Sequence, residues 1–436
     1  MRRMFGVLML VAALPLVLAA QAPVAPSGPL SLLDAIALGR KQGVSATVAL
    51  LNVRVADART AQRRADLLPN ISGLASVTRQ TLNLDEFGIP IASGVTDPFS
   101  IWRLQLRASQ TIFDPSAITR LRAARDTAMA AGLDARAIGE ISGATAGLAY
   151  LRLLSAKETV GAREADSTVA SSLLDEARQL VGAGVSPAID ATRSEVSFAA
   201  VRTQLEVARN AADRAQLDLL RTLDLPPSSR LTLSDSLGLD SLDIPLEPDA
   251  AASFAREHRA ELAAERARTG AVERNLKAVK YENLPSLGLS GSYQQTGQRA
   301  GDLAGSYSVQ LGLSVPILDG LRRQSRAKEE NERLAVQRIR ERDLGNQVET
   351  EARQSVLDLA SARQQVAIAD DRLKLAETEL AQAGERFQSG VAGSVETTTA
   401  QSSVIAARDA LIQARLNYGT ARVSAYRALG VIDQLQ

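Results

Sequence analysis

The side chains that could do chemistry are few. A single histidine, His258, sits in FAREHRAEL, and the chain has no cysteine. Together these offer no soft-metal cage, no thiol nucleophile, no disulfide and no lipidated N-terminal cysteine. His258 lies on a charged helix face and reads as solvated. No glycine-rich phosphate loop, nucleophile elbow or calcium loop interrupts the sequence. The many Asp–Arg neighbours recur at helical spacing, which is surface pairing rather than acid–base work. The reading is therefore of a chain that is not an enzyme and holds no metal and no cofactor. Any conduction through it would be passive.

Composition points away from an ordinary globule. Lys and Arg number 50 against 49 Asp and Glu, so no overall field draws a nucleic acid. Apolar residues make up 45% of the chain, yet aromatics only 3%. Long runs of Ala, Leu, Gln, Arg and Glu suit long helices that approach closely at small side chains. Residues 1–22 hold two arginines, an apolar run from Phe5 to Leu18, and the small residues Ala19, Ala20 and Ala22. That order predicts a secretory signal; a membrane anchor is the alternative, for which the run is short.

The chain repeats itself. GAGVSPAIDATRSEVSFAAVRTQLEVAR (182–209) is echoed by QSGVAGSVETTTAQSSVIAARDALIQAR (388–415) with no gap. Gly184 falls on Gly390, Val185 on Val391, Arg202 on Arg408 and Leu223 on Leu429, each at an offset of 206, since 390 minus 184 equals 429 minus 223. A period this long exceeds the roughly 20–50 residues of solenoid units, so each half is a whole supersecondary unit.

Each half opens on an amphipathic helix, from residue 30 to Pro69 and again up to Pro285, and then changes to period two. Tyr307, Val309, Leu311, Leu313, Val315 and Ile317 share one face of a strand, with Ser308, Gln310, Gly312 and Ser314 on the other. In the first half Trp102, Leu104, Leu106, Ala108 and Ile112 alternate with Arg103, Gln105, Arg107, Ser109 and Thr111, and Trp102 takes a place equivalent to Tyr307. Weaker alternation over 71–77 and 287–293 precedes each, giving four strands. A soluble sheet with one wet face is one reading. Strand length, export and the leading aromatic favour the other, a membrane strand. Four strands with free edges cannot stand in lipid, where every backbone group needs a partner, so several copies would have to pool them.

Two long stretches with almost no breaker follow, 115–181 and 320–387, each on the order of 100 Å as one helix. Leu359, Ala362, Val366, Ala369, Leu373, Ala376 and Leu380 step by three and four. Phe198, Val201, Leu205, Ala208, Ala212, Ala215 and Leu219 do the same, and Val404, Ala407, Leu411, Ala414, Tyr418, Ala421 and Ala425 repeat them. Strict heptads of this kind make coiled-coil hairpins. The tips lie at 182–190 and 388–396, with Gly184 and Gly390 predicted as C-caps and Ser186 or Ser394 as N-caps of the return helices. The first repeat thus spans 30–223, with strands in 70–113 and a return helix to 223. The second spans 250–436, with strands in 286–318 and a return helix to about 430. Between them, 224–249 is a Pro-, Ser- and Asp-rich linker with one short strand at Leu231 to Leu233. The fold class is mainly α with membrane β.

On LSLLDAIALGRKQG, on LLPNISG and NLPSLGLSG entering the strands, on TIFDP and VPILDG leaving them, and on the paired tips, the chain resembles the outer-membrane efflux protein family, the TolC-like channels of tripartite pumps and type I secretion systems. The resemblance implies a homotrimer in the outer membrane, with four strands from each of three chains closing one barrel and the helices extending it as a periplasmic tunnel. It implies an exit duct opened by a periplasmic adapter and an inner-membrane transporter. Adapter contact falls by position on Gly184, Val185, Ser186, Gly390, Val391 and Ala392. The family's closed aperture maps to Asp190, Phe387, Ala392, Glu396 and Thr399. Phe387 stands where the family has a tyrosine and cannot donate its hydrogen bond. Asp190 and Glu396 either form an acidic ring that prefers cations or simply face the positive ends of their helices. Lipid would meet Tyr307, Val309, Leu311, Leu313, Val315, Trp102, Leu104 and Leu106, and the lumen Arg103 and Arg107. The competing readings are a periplasmic adapter, which has one hairpin between soluble β-domains, and a structural coiled coil without a pore. Duplicated strand pairs count against the first, and the alternation from Tyr307 against the second.

Overall fold

The computed structural model describes residues 28–84, 94–238, 244–389, 391 and 393–435. The expected signal over 1–22 and two tip residues, Gly390 and Ala392, lie outside these. Ser31 starts helix α1 (Leu32–Gln42) with a capping box: its hydroxyl accepts the Asp34 N–H at 3.1 Å, and Asp34 accepts the Ser31 N–H at 3.2 Å. Helix α2 (Val44–Ala65) continues it after a break at Gly43 (φ −54°, ψ 140°). The second half breaks likewise at Arg259 (φ −67°, ψ 115°), between α5 (Pro248–His258) and α6 (Ala260–Tyr281).

Each opening helix is thus two helices, where the sequence periodicity reads as one. The reason lies in tertiary contacts that periodicity does not carry. Gly39 and Gly43 press α1 onto helix α3 (Pro115–Gly182), where a Cβ at Gly39 would meet the Ala146 Cβ at 2.5 Å. Arg259 turns its guanidinium inward to donate to the Ala428 carbonyl at 3.1 Å, to Glu351 at 3.0 Å and to Glu261 at 2.5 Å.

Strands β1 (Asn70–Gln80) and β2 (Phe99–Phe113) lead into α3 and its return helix α4 (Ala188–Thr222). Strands β3 (Ser286–Gly297) and β4 (Ala304–Ser314) lead into α7 (Arg322–Gln388) and α8 (Ser394–Leu429), with a 3-10 turn at Ile432–Gln434. The 68 residues of α3 reach about 100 Å at 1.5 Å each. Asp114 caps α3 by accepting the Ser116 and Ala117 N–H groups at 2.8 and 3.0 Å, with Pro115 in the first turn. The matching Asp319 instead accepts both the backbone and the guanidinium of Arg323, at 3.0 and 2.8 Å.

The heptad residues do the packing. Leu359, Ala362, Val366 and Ala369 of α7 are buried against Leu411, Ala414, Tyr418 and Ala425 of α8. Ala376 meets Val404 and Ala407 nearer the tip. The largest core lies where the hairpin bases join: Tyr150, Leu153, Leu219, Leu223, Tyr426, Leu429 and Ile432 are all fully enclosed. The linker is stitched to it. Its expected strand at Leu231 to Leu233 is, among the described residues, a single parallel bridge, Leu30 to Leu233. The Tyr150 hydroxyl lies 2.9 Å from the Leu30 carbonyl oxygen and 3.0 Å from Asp235. Burial first, and then the Asp235 charge, hold that phenol well above its ordinary pKa.

Candidate functional site

The four strands form one antiparallel sheet in the order β1-β2-β3-β4, so β1 and β4 are its edges. Register decides its two faces, because side chains alternate and paired residues point the same way. Leu106 pairs with Gly73 and Tyr293, and Tyr293 with Tyr307. Leu289 pairs with Leu311 and Leu287 with Leu313. One face therefore gathers Ile71, Val77, Trp102, Leu104, Leu106, Leu287, Leu289, Tyr293, Tyr307, Val309, Leu311 and Leu313. The opposite face is mostly Ser, Thr, Gln and Gly, with Leu74, Phe99 and Ile101 as apolar exceptions and Arg103 and Arg107 as its cations.

Among the described residues nothing covers the apolar face. Tyr307 is 83% exposed, Val309 74% and Leu311 66%. A contiguous apolar surface of this kind on a single chain marks an interaction with lipid or protein.

Two details of this face differ from the sequence reading. Val315 lies just beyond β4, which runs from Ala304 to Ser314. It would face Pro285, while Pro316 follows it, and neither proline can donate to a ladder. Trp102 and Tyr307 are not in one row either: Tyr307 stands across from Tyr293 and Leu106, and Trp102 across from Val77 and Gly297. The 15-residue β2 continues past the end of β3 at Phe99 to Ile101, so Trp102 stands at their last pair, four residues along β2 from Leu106. Tyr293 is the aromatic that the weaker alternation of β3 concealed.

At the far end, Gly184 has φ +73°, a conformation open to glycine. Its N–H donates to the Val181 carbonyl at 3.0 Å and the Val185 N–H to Leu180 at 2.9 Å, the paired bonds of a Schellman turn. In the second tip the Val391 N–H donates in the same way to Arg386 at 3.0 Å. Val185 and Val391 are both exposed. Neither Ser186 nor Ser394 caps a return helix; Pro187 and Gly393 hold those positions without a side-chain bond. Ser394 is fully buried and donates its hydroxyl to Asp190 at 2.6 Å, tying one tip to the other across 204 residues of sequence.

The residues expected at the aperture fall as follows. Asp190 is buried and has Arg193 at 3.6 Å, while Glu396 faces Arg386 at 3.3 Å. Both carboxylates of the expected acidic pair thus carry an arginine of their own. Phe387, near the end of α7, is buried, and Thr399 is exposed.

One further cluster escaped the sequence reading. Arg163 and Asp166 on α3 are buried and paired at 2.8 Å; Asp409 closes on Arg163, and Arg408 on Asp166, both from α8. Arg408 also has Glu377 at 3.6 Å. Residues 163 and 166 continue the buried steps at Ala170, Leu174 and Ala177, so a charged pair inside an apolar stripe was the signal. His258 is exposed, stacked on Phe254 with ring centres 3.9 Å apart. Among the described residues no three His, Cys, Asp or Glu side chains are placed to hold a metal, and no helix is long and apolar enough to cross a membrane.

A family model described as outer membrane efflux protein matches residues 41–223 and 251–431, one segment in each repeat. The outer membrane efflux protein BepC of Brucella suis is 24% identical over 292 residues, 66% of this chain and 63% of BepC's own length. The pyoverdine export outer membrane protein OpmQ of Pseudomonas aeruginosa is 26% identical over 405 residues, 90% of this chain and 83% of OpmQ. The CmeC outer membrane channel of Campylobacter jejuni shares the fold at a TM-score of 0.79 and 15% identity, over 92% of this chain and 85% of CmeC. With both repeats matched and an outer-membrane channel fold over most of its length, the chain belongs to the outer membrane efflux protein family.

Proposed function

We propose that three copies of this chain close one outer-membrane barrel and extend it into the periplasm as a helical tunnel. The assembly is the exit duct of a tripartite efflux pump or type I secretion system. The observation that carries this reading is the sheet: among the described residues it has one apolar face left bare, one polar face, and two open edges. In lipid an open edge leaves backbone groups without partners, so β4 of one copy must reach β1 of the next. The resulting barrel of about twelve strands lies within the size range of such barrels. The bare α-helical tips present Gly184, Val185, Ser186 and Val391, with Gly390 and Ala392 beside them in sequence, to a periplasmic adapter. An inner-membrane transporter supplies the energy, and its cargo is what the duct carries.

The experiment compares two neighbours on β4. Leu311→Arg puts a cation on the lipid face, at a cost of roughly 2–4 kcal/mol near mid-bilayer, and should block insertion into the outer membrane. Gln310→Arg puts the same charge on the polar face and should insert normally. Equal behaviour of the two variants would show that the faces do not divide lipid from lumen.

A further inference from the structure

The polar face of the sheet is not neutral. Arg103 and Arg107 share it, one above the other on β2, and both are exposed. Their cross-strand neighbours carry no charge: Arg103 stands between Ser76 and Thr296, and Arg107 between Ser72 and Ser292. Ser292 is in turn bonded to Ser308 at 2.9 Å, so that row continues in hydroxyls to the sheet edge. No strand residue on this face is acidic. The described carboxylates nearest along the chain, Asp97, Asp302 and Asp114, all lie outside the strands. Among the described residues, neither arginine is in an ion pair.

An arginine cannot shed its charge at any working pH. An isolated cation is also costly to keep inside a wall of low dielectric unless water or an anion attends it. Arg79 makes the contrast: it lies on the apolar face at the end of β1, opposite Ser100, where a long side chain can reach the headgroup level.

We infer that Arg103 and Arg107 form a cationic band inside the barrel that favours anionic cargo, such as carboxylates, phosphates or sulfonates. The inference rests on the barrel proposed above, which places this face in the lumen. Each copy adds two fixed positive charges at two levels, and the Ser, Thr and Gln side chains around them supply hydrogen bonds without offsetting charge. Low-dielectric walls focus such a field along the axis, raising the local concentration of anions.

The test uses the absence of cysteine. Gln105 lies on the same face between the two arginines, opposite Leu74 and Gln294, and Gln105→Cys gives the full chain a single thiol. Its reaction rate is measured in intact outer membranes with an anionic reagent, sulfonatoethyl methanethiosulfonate, and a cationic one, trimethylammonioethyl methanethiosulfonate. The ratio of the two rates, corrected for that of a free thiol, reports the local potential.

The expected ratio favours the anionic reagent on the order of tenfold at low salt, and it falls towards one in about 0.5 M salt. It also falls towards one when Arg103→Gln and Arg107→Gln are added. A ratio that the two glutamines leave unchanged would overturn the cationic band while leaving the barrel intact. If the thiol of the Gln105→Cys variant reacts with neither reagent while that of a Leu106→Cys variant reacts with both, the faces are reversed and the barrel reading falls too. Each variant is checked for outer-membrane insertion, and the conservative Arg107→Lys should restore the anionic preference.

Discussion

At Gly39 a methyl group has no room: beyond the Ala146 Cβ at 2.5 Å, the Ser142 carbonyl oxygen lies 2.9 Å from where a Cβ would stand. Gly39→Ala should therefore destabilise the folded chain by about 1–3 kcal/mol through overpacking, read as a lower thermal midpoint in detergent; an unchanged midpoint would mean that α1 does not hold α3 this closely. Glu140 makes a different residue-scale statement. Burial raises its carboxyl above the ordinary value of 4.5, against the opposing pull of Arg136, whose Nε is 3.3 Å away. The folded chain thus keeps a proton that the unfolded chain releases. That contribution is full below 4.5 and is lost as pH rises through the raised value. Glu140→Gln, neutral throughout, should flatten the fall in thermal midpoint above pH 4.5, and identical slopes in both proteins would remove Glu140 from the account. The heptad residues were legible one by one because they obey a local period. Arg259 and Ser394 were not, because a charged residue on a charged helix and a serine after a turn look ordinary until partners 169 and 204 residues away are known.

Among the elements, the ionic cluster between α3 and α8 joins the two hairpins by charge rather than by alanine. Asp166 is almost wholly enclosed and holds both Arg163 and Arg408. Asp166→Asn leaves those two cations short of their shared partner, which for a buried pair costs about 3–5 kcal/mol. The variant should lose thermal stability by that order, while Asp409→Asn, at the more exposed rim, should lose much less. Equal losses would place the weight of the cluster elsewhere. The strands show how far a two-residue period reaches. It fixed which side chains share a face, since a slip of one residue would reverse them all. It did not fix where β4 stops, because that depends on Pro285 just before the partner strand β3 as well as on Pro316 just after β4. The breaks at Gly43 and Arg259 are hidden for a similar reason: helical periodicity continues across both, and only the approach of α3 and the carbonyl of Ala428 reveal them.

At the scale of the whole molecule, the duplication has a physical use. Two hairpins of nearly equal length in each of three chains would give a tunnel end of six similar tips, so a partner with repeated subunits could meet either kind. The two are not identical, since Pro187 precedes one return helix and Gly393 the other, and since the cross-hairpin cluster uses Arg163 and Asp166 where the second repeat has Ala369 and Arg372. Closure of the sheet is the one feature that a single chain cannot contain. The most direct measurement is therefore the mass of the detergent-extracted protein by light scattering with detergent correction, taken with its membrane fraction. A trimer recovered from the outer membrane is the predicted result. A monomer that dissolves in water without detergent would contradict the shared barrel and leave the coiled-coil hairpins as the whole of the structure.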